Sequence, residues 1–270
     1  MPGPGPSNRA GARAPLAIRH PGGQTRDARP GSARRPEPGG SPPAVTRPID
    51  RRTDGSPPSP APEAIRRRRT ARRFDPDRPL AEALLARLIG LATLAPSPFN
   101  LQPWRFLVVR DPSNRRRLRA CTFGESRLTQ APAVLVVLAY LHPDRIDLEA
   151  VVARQLDLGA ITPEAAARVR ATAPRAWSRL PDPARSALLA SATLMIAAES
   201  LGLASAWIEE FDDEAVRRAF GIPDDHALCG LLALGYSPID APPPFPGRFP
   251  LDHTCFDEHF GRPWAPEEPA

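Results

Sequence analysis

The chain contains no lysine, so arginine supplies every permanently cationic side chain. With its wealth of alanine and proline, that reads as a coding bias rather than as chemistry. Cysteine is scarce: Cys121, Cys229 and Cys255 stand far apart with no CxxC spacing, which excludes a disulfide framework and a zinc pattern. Reduced thiols in a cytoplasmic protein are expected. Long apolar runs are missing. The longest, Ala131 to Leu141, is about 11 residues, whereas a membrane span needs roughly 20, so no membrane partner is expected. No apolar stretch follows the first arginines, so no secretory signal is expected. Neither GxGxxG nor GxxxxGK[ST] occurs, which removes the dinucleotide Rossmann site and the P-loop. HExxH, GxSxG and any Cys–His pairing are absent too, so neither a metal nor a protein nucleophile is expected. There is no internal repeat.

What is present starts with charge. The chain has 270 residues and a net charge of +6, enough length for one large domain or two small ones. Residues 1–65 hold 10 Arg against 5 acids, while the remainder holds 26 Arg against 25 acids. The basic excess therefore sits in the N-terminal segment, and a nucleic-acid partner for the core is not expected. Residues 1–62 carry 15 of the 37 prolines and 9 of the 18 glycines. Such a segment cannot bury enough surface to offset the entropy of ordering, and is expected to be a disordered tail. It is either a dispensable extension or an anchor for RNA or an anionic membrane.

Order is expected from Glu63 to Trp264. Leu84, Leu85, Leu88, Ile89 and Leu91 follow a helical period after Pro79, ending near Leu94 before Pro96-Ser97-Pro98. Trp104 to Val109 and Ala133 to Tyr140 read as strands. Pro112 to Ala120, Leu148 to Leu158, Pro163 to Thr172 and Ala184 to Leu203 read as helices. Ala204 to Ile208 is a short strand, Asp212 caps a helix through Phe220, and Leu228 to Leu234 is the last core strand. From Pro238 onward, prolines predict an extended arm, 238–264. The pattern is mixed α and β, with helices covering a sheet.

Two segments concentrate polar chemistry. Arg66 to Arg73 holds six arginines within eight residues, costly to juxtapose without an anion. If helical, it would pair Arg68 with Arg72 on one face and Arg69 with Arg73 on another. Two guanidiniums and the Thr70 hydroxyl suit a phosphate monoester; the alternative is a solvated continuation of the basic tail. In the second segment, Ala95 to Phe106, Asn100 and Gln102 lie in a proline-bounded loop before a strand. Their amides can pair with a flat heterocycle or with ribityl hydroxyls; the alternative is an ordinary helix-to-strand loop.

Together, Arg-Arg-Thr-x-Arg-x-Phe and, about two dozen residues on, Pro-Ser-x-x-Asn-x-Gln-Pro-Trp-Arg-Phe resemble the N-terminal signature of the nitroreductase superfamily. The likeness continues through Ala131-Pro132, Gly202 to Ile208, Phe211-Asp212, Gly221-Ile222-Pro223, Leu231 to Tyr236, and Arg248-Phe249-Pro250-Leu251-Asp252. It spans about 200 residues.

The resemblance implies a nitroreductase-like α+β fold: a central mixed or antiparallel sheet flanked by helices, in an intertwined homodimer with two FMN sites. It implies that Arg68, Arg69 and Thr70 bind the FMN phosphate side, with Thr70 standing where Ser is commoner, and that Arg72 reaches the ribityl and pyrimidine. Pro96, Ser97, Pro98 and Asn100 would contact the flavin from the other subunit. Arg127 falls where relatives often place an amide or Lys near the pyrimidine. Glu209 and Glu210 fall where backbone amides face N5, and Arg248 would close on the phosphate. Pro98 and Glu210 depart from a commoner Ser and Gly. The implied activity passes hydride from NADH or NADPH through FMN to a small-molecule acceptor such as a nitroaromatic or quinone. Alternatives are a dehalogenase, a flavin-fragmenting enzyme, a non-catalytic flavin-binding module or a nucleic-acid binder using the tail.

Overall fold

The computed structural model describes residues 57–179, 183–238 and 243–264. The tail expected over 1–62 therefore lies almost wholly outside the described residues. In chain order the elements are α1 (Ala61–Arg67), α2 (Glu82–Ala92), β1 (Trp104–Val109), α3 (Pro112–Ala120), α4 (Arg127–Gln130), β2 (Ala133–Tyr140), α5 (Pro143–Ile146), α6 (Leu148–Asp157), α7 (Pro163–Trp177), α8 (Ala184–Ser200), β3 (Ala204–Ile208), α9 (Asp213–Phe220), β4 (His226–Gly235) and α10 (Leu251–Thr254).

The four strands form one sheet in the order β1-β2-β4-β3. Every pairing is antiparallel, so of the two expected forms, mixed or antiparallel, the described strands adopt the second. Among the described residues, the one parallel contact is an isolated bridge from Thr70, which lies outside the strands, to Ser205 of β3.

Period-two alternation sends the strands' side chains to two separate cores. Ala133, Leu135, Val137 and Ala139 of β2 join Leu232 and Leu234 of β4 on one face. Leu85, Leu88 and Ala92 of α2, and Ala187, Ala190, Leu194 and Ala198 of α8, cover that face. Val134, Val136 and Leu138 point the other way, to Leu118 of α3, Leu128 of α4 and Val216 of α9. With both faces covered, β2 reads as a continuous apolar run. The small residues on the buried side of α8 let it lie close to the sheet, as dense packing requires.

A third cluster sits under the α5–α7 excursion and joins Leu101, Leu148, Val152, Ala166, Ala173 and Trp177. It explains a helix longer than the sequence predicts. The helix α7 runs through Pro174 to Trp177 instead of stopping near Thr172. Proline costs a helical hydrogen bond, but Ala173 and Trp177 are buried, and the Trp177 indole donates to the Leu141 carbonyl at 3.0 Å.

The ends of α9 follow their sequence signals. The Asp212 carboxylate accepts from the Ala215 amide at 2.9 Å, and Gly221 adopts the left-handed conformation that closes the helix, φ 65°. In the arm, the short α10 interrupts the stretch expected to be wholly extended; Pro250 precedes its first residue, a position that proline tolerates.

Candidate functional site

The arginine run is not one helix. The helix α1 ends at Arg67, and Arg68 turns to extended backbone at ψ 125°. The i,i+4 pairings of Arg68 with Arg72 and of Arg69 with Arg73 therefore do not form. The chain instead runs alongside β3: Thr70 bridges Ser205, and the Ala71 amide donates to the Ser205 carbonyl at 2.8 Å. Arg69 turns back on α1, donating to the carbonyls of Arg66, Arg67 and Arg68 at 2.7, 3.2 and 3.0 Å. It thereby satisfies carbonyls that a helix end leaves orphaned.

Arg66, Arg68, Arg69 and Arg248 line one cavity of about 530 Å³, walled by Ile65, Ile196 and Phe245. Among the described residues, no carboxylate lines it. Arg67, which does not line it, is drawn aside by Glu63 and Glu199 at 3.9 and 3.8 Å. Thus the two ends of the expected phosphate site, Arg68 and Arg69 near residue 70 and Arg248 on the arm, come together in space. Thr70 and Arg72 are exposed on the adjoining extended segment, outside that cavity.

The second motif forms a strained turn. Phe99, Asn100 and Gln102 have φ of 53°, 57° and 47°. Asparagine tolerates this region, but a phenylalanine and a glutamine there cost on the order of 1 kcal/mol each. Local bonds hold the turn: the Ser97 hydroxyl accepts from the Gln102 amide at 3.0 Å, and the Ser97 carbonyl accepts from the Asn100 amide at 3.0 Å. Phe99 and Leu101 pack into the third cluster. Arg105 braces the loop from below, donating to the Gln102 and Trp104 carbonyls at 3.0 Å each and to Asp147 at 2.7 Å.

Asn100 and Gln102 border a second cavity of about 520 Å³, with Trp104, Phe106, Val151 and Arg154 among its lining residues. The two cavities share no lining residue. Pro96, Ser97, Pro98 and Asn100 are therefore grouped with one another but not with the arginine cavity of the same chain.

Arg127 lies half-buried near Arg72, its guanidinium reaching the Ala71 carbonyl at 3.4 Å. Its charge is not free, because Glu125 takes it in a two-pronged ion pair at 2.9 and 2.6 Å. The pair holds Arg127 further above its ordinary range and Glu125 below its own, chiefly through the side-chain hydrogen bonds between them. Glu209 and Glu210 are exposed just past β3, and Glu209 accepts from the Trp207 indole at 2.8 Å. Trp177 is core, in the third cluster. No cluster of three or more His, Cys, Asp or Glu able to hold a metal occurs among the described residues, nor does any helix long and apolar enough to cross a membrane.

Sequence reasoning missed Phe245, Arg66 and Arg105. Phe245 is an aromatic residue alone among prolines, and nothing local links it to Arg69. Arg105 was legible only as part of a motif, without its brace to Asp147.

The nitroreductase family model matches residues 65–236. A Thermus thermophilus protein named NADH dehydrogenase is 35% identical over 198 residues, 71% of this chain and 92% of that protein. Protein DrgA of Synechocystis is 32% identical over 200 residues, 70% of this chain and 91% of that protein. A candidate nitroreductase of Exiguobacterium sibiricum, solved in complex with FMN, superposes with a TM-score of 0.67 at 22% identity, covering 74% of this chain and 98% of that one. With the family model matched over well over half its length, this chain belongs to the nitroreductase family.

Proposed function

We propose that the protein is an FMN-dependent oxidoreductase that takes hydride from NADH or NADPH and reduces a small organic acceptor such as a nitroaromatic or quinone. The observation that carries this is the convergence of Arg68, Arg69 and Arg248 on one cavity that, among the described residues, no carboxylate lines. A phosphomonoester suits that donor set, since guanidiniums give it bidentate, charge-assisted bonds. Arg69 also keeps a buried Nε without a hydrogen-bond partner, so the donor set is unsaturated as it stands. Bound FMN would supply hydride-level redox chemistry that no amino-acid side chain has.

In this reading the residues position and tune. Arg68, Arg69 and Arg248 hold the phosphate, with Thr70 adding a hydroxyl at the rim. Arg72 places a positive charge beside the electron-rich pyrimidine edge, where charge develops on reduction. Arg127, already neutralised by Glu125, orients the Ala71–Arg72 backbone more than it contributes field. Backbone N–H groups at Glu209 and Glu210 face the reacting edge.

A homodimer completes the site in the same proposal. Pro96, Ser97, Pro98 and Asn100 sit away from the arginine cavity of their own chain, so a second copy would bring its motif loop to it. Exposed Leu188 and Leu189 on α8, and Phe249, Phe260 and Trp264 on the arm, offer the apolar surface such an interface needs. Three free cysteines fit a reducing compartment, the cytoplasm.

The purified protein should be yellow, elute as a dimer, and oxidise NADH or NADPH when given a nitroaromatic or quinone. A colourless monomer that ignores added FMN overturns the proposal.

A further inference from the structure

Among the described residues, the arm meets its own body through few polar or ring contacts. Among the described residues, the loop and turn backbone hydrogen bonds of 243–264 all close within the segment. So do its ring contacts, Phe249 with His253 and Phe256 with Phe260, and its ion pair, Arg262 with Asp257. The exception is Phe245. Its ring lies 4.8 Å from the Arg69 guanidinium carbon on the body and 5.4 Å from that of Arg248 on the arm. All three line the arginine cavity.

This is an unstable arrangement without an anion. Arg66 and Arg68 face the same cavity, and among the described residues no carboxylate lies within ion-pairing distance of either. Cation–π contacts at an exposed ring such as Phe245 are weak, and like charges around one cavity repel. A phosphate group reverses the sign of that balance, because it accepts from the body's arginines and the arm's arginine at once.

We propose that Phe245 is a positioning residue for a phosphomonoester: it holds Arg69 and Arg248 about one cavity, so that a bound phosphate latches the arm to the body. Identifying that phosphomonoester as FMN rests on the function proposed above, whereas the latch itself does not. Phe245 acts on the phosphate only through the two arginines whose guanidinium carbons lie 4.8 and 5.4 Å from its ring centre.

The test uses the full chain freed of flavin. Wild type should bind FMN more tightly than riboflavin. Phe245→Leu should weaken FMN binding about tenfold, a loss of about 1.4 kcal/mol, and leave riboflavin binding unchanged. Phe245→Tyr, which keeps the ring, should restore it. Equal losses for both flavins, or no loss, overturn the proposal. Tryptic cleavage after Arg248, followed by mass, gives a second readout independent of turnover. Protection by FMN alone assigns the site to the cofactor's phosphate. Protection by inorganic phosphate as strong as by FMN assigns it to the free anion. Either supports the latch, while protection by neither, or equally by riboflavin, overturns it. A chain that binds no flavin but is protected by inorganic phosphate keeps the latch and loses the cofactor proposal. A yellow chain with an indifferent arm does the reverse.

Discussion

The indole ring of Trp207 occupies the space that a side chain on residue 230 would fill. A β-carbon built on Gly230 would lie 2.2 Å from Trp207 Cζ2 and 2.6 Å from Cη2. Trp207 pairs with Leu232 across the β3–β4 ladder, so its indole reaches Gly230 diagonally, next to a register shift in the β2–β4 ladder between Val137 and Leu138. Gly230→Ala should therefore destabilise the fold by about 1–3 kcal/mol, the usual cost of overpacking. Urea unfolding of Gly230→Ala in wild-type and Trp207→Ala backgrounds measures the coupling. The alanine at 230 should cost much less once the indole is gone; an equal cost in both backgrounds would put the strain in the backbone instead.

The Glu125–Arg127 pair predicts an acid-side loss of stability. Arg127's hydrogen bonds depress the Glu125 carboxyl in the folded state against the opposing effect of burial. A depressed folded value means the contribution is complete above the ordinary glutamate value, about 4.3, and is lost as pH falls through the folded value. With both side chains about three-quarters shielded, at 24% and 23% exposure, the contribution is about 1–2 kcal/mol. Glu125→Gln should lower the urea midpoint at pH 7 and flatten its dependence on pH below 5. An unchanged pH profile would mean that other carboxylates govern acid unfolding.

Arg105 should matter for both stability and cofactor retention. Replacing it with Met removes the bonds to the Gln102 and Trp104 carbonyls and to Asp147, at a cost of about 1–3 kcal/mol. It also unbraces the loop whose left-handed residues hold Asn100 in place. Thermal unfolding combined with the flavin content of the purified variant checks this. A variant as stable and as yellow as wild type would leave Arg105 without a role in the loop.

Arg72→Ala should lower the flavin reduction potential and weaken FMN binding, since a cation beside the reduced ring system stabilises its charge. Redox titration of the bound flavin reads the first effect and fluorescence titration the second. Wild-type values for both would remove Arg72 from the site.

Much of the fold is legible locally because its signals are local. Trp104–Val109, Pro112–Ala120 and Ala133–Tyr140 have in the structure the limits that their composition predicts. Each is bounded by proline, a capping side chain or a change in hydrophobic period. Boundaries shift where packing outweighs propensity, as at Pro174, or where a helix ends sooner than its arginines imply, as at Arg67. The site was legible only in part. Spacing and resemblance picked out Arg68, Asn100 and Arg248 as candidates, but not the neutralisation of Arg127 by Glu125 or the placement of Phe245 between two guanidiniums.

The order of the strands and longer helices, the apolar run that becomes β2 and the concentration of arginine near residue 70 follow from the sequence alone, because each depends on residues near one another in the chain. The antiparallel pairing of the described strands, the gathering of Arg66, Arg68, Arg69 and Arg248 about one cavity, and the separation of the motif loop from that cavity were decided by tertiary structure. Those relationships join segments up to 182 residues apart, and only the packing of helices against the two faces of the sheet brings such segments within reach of one another.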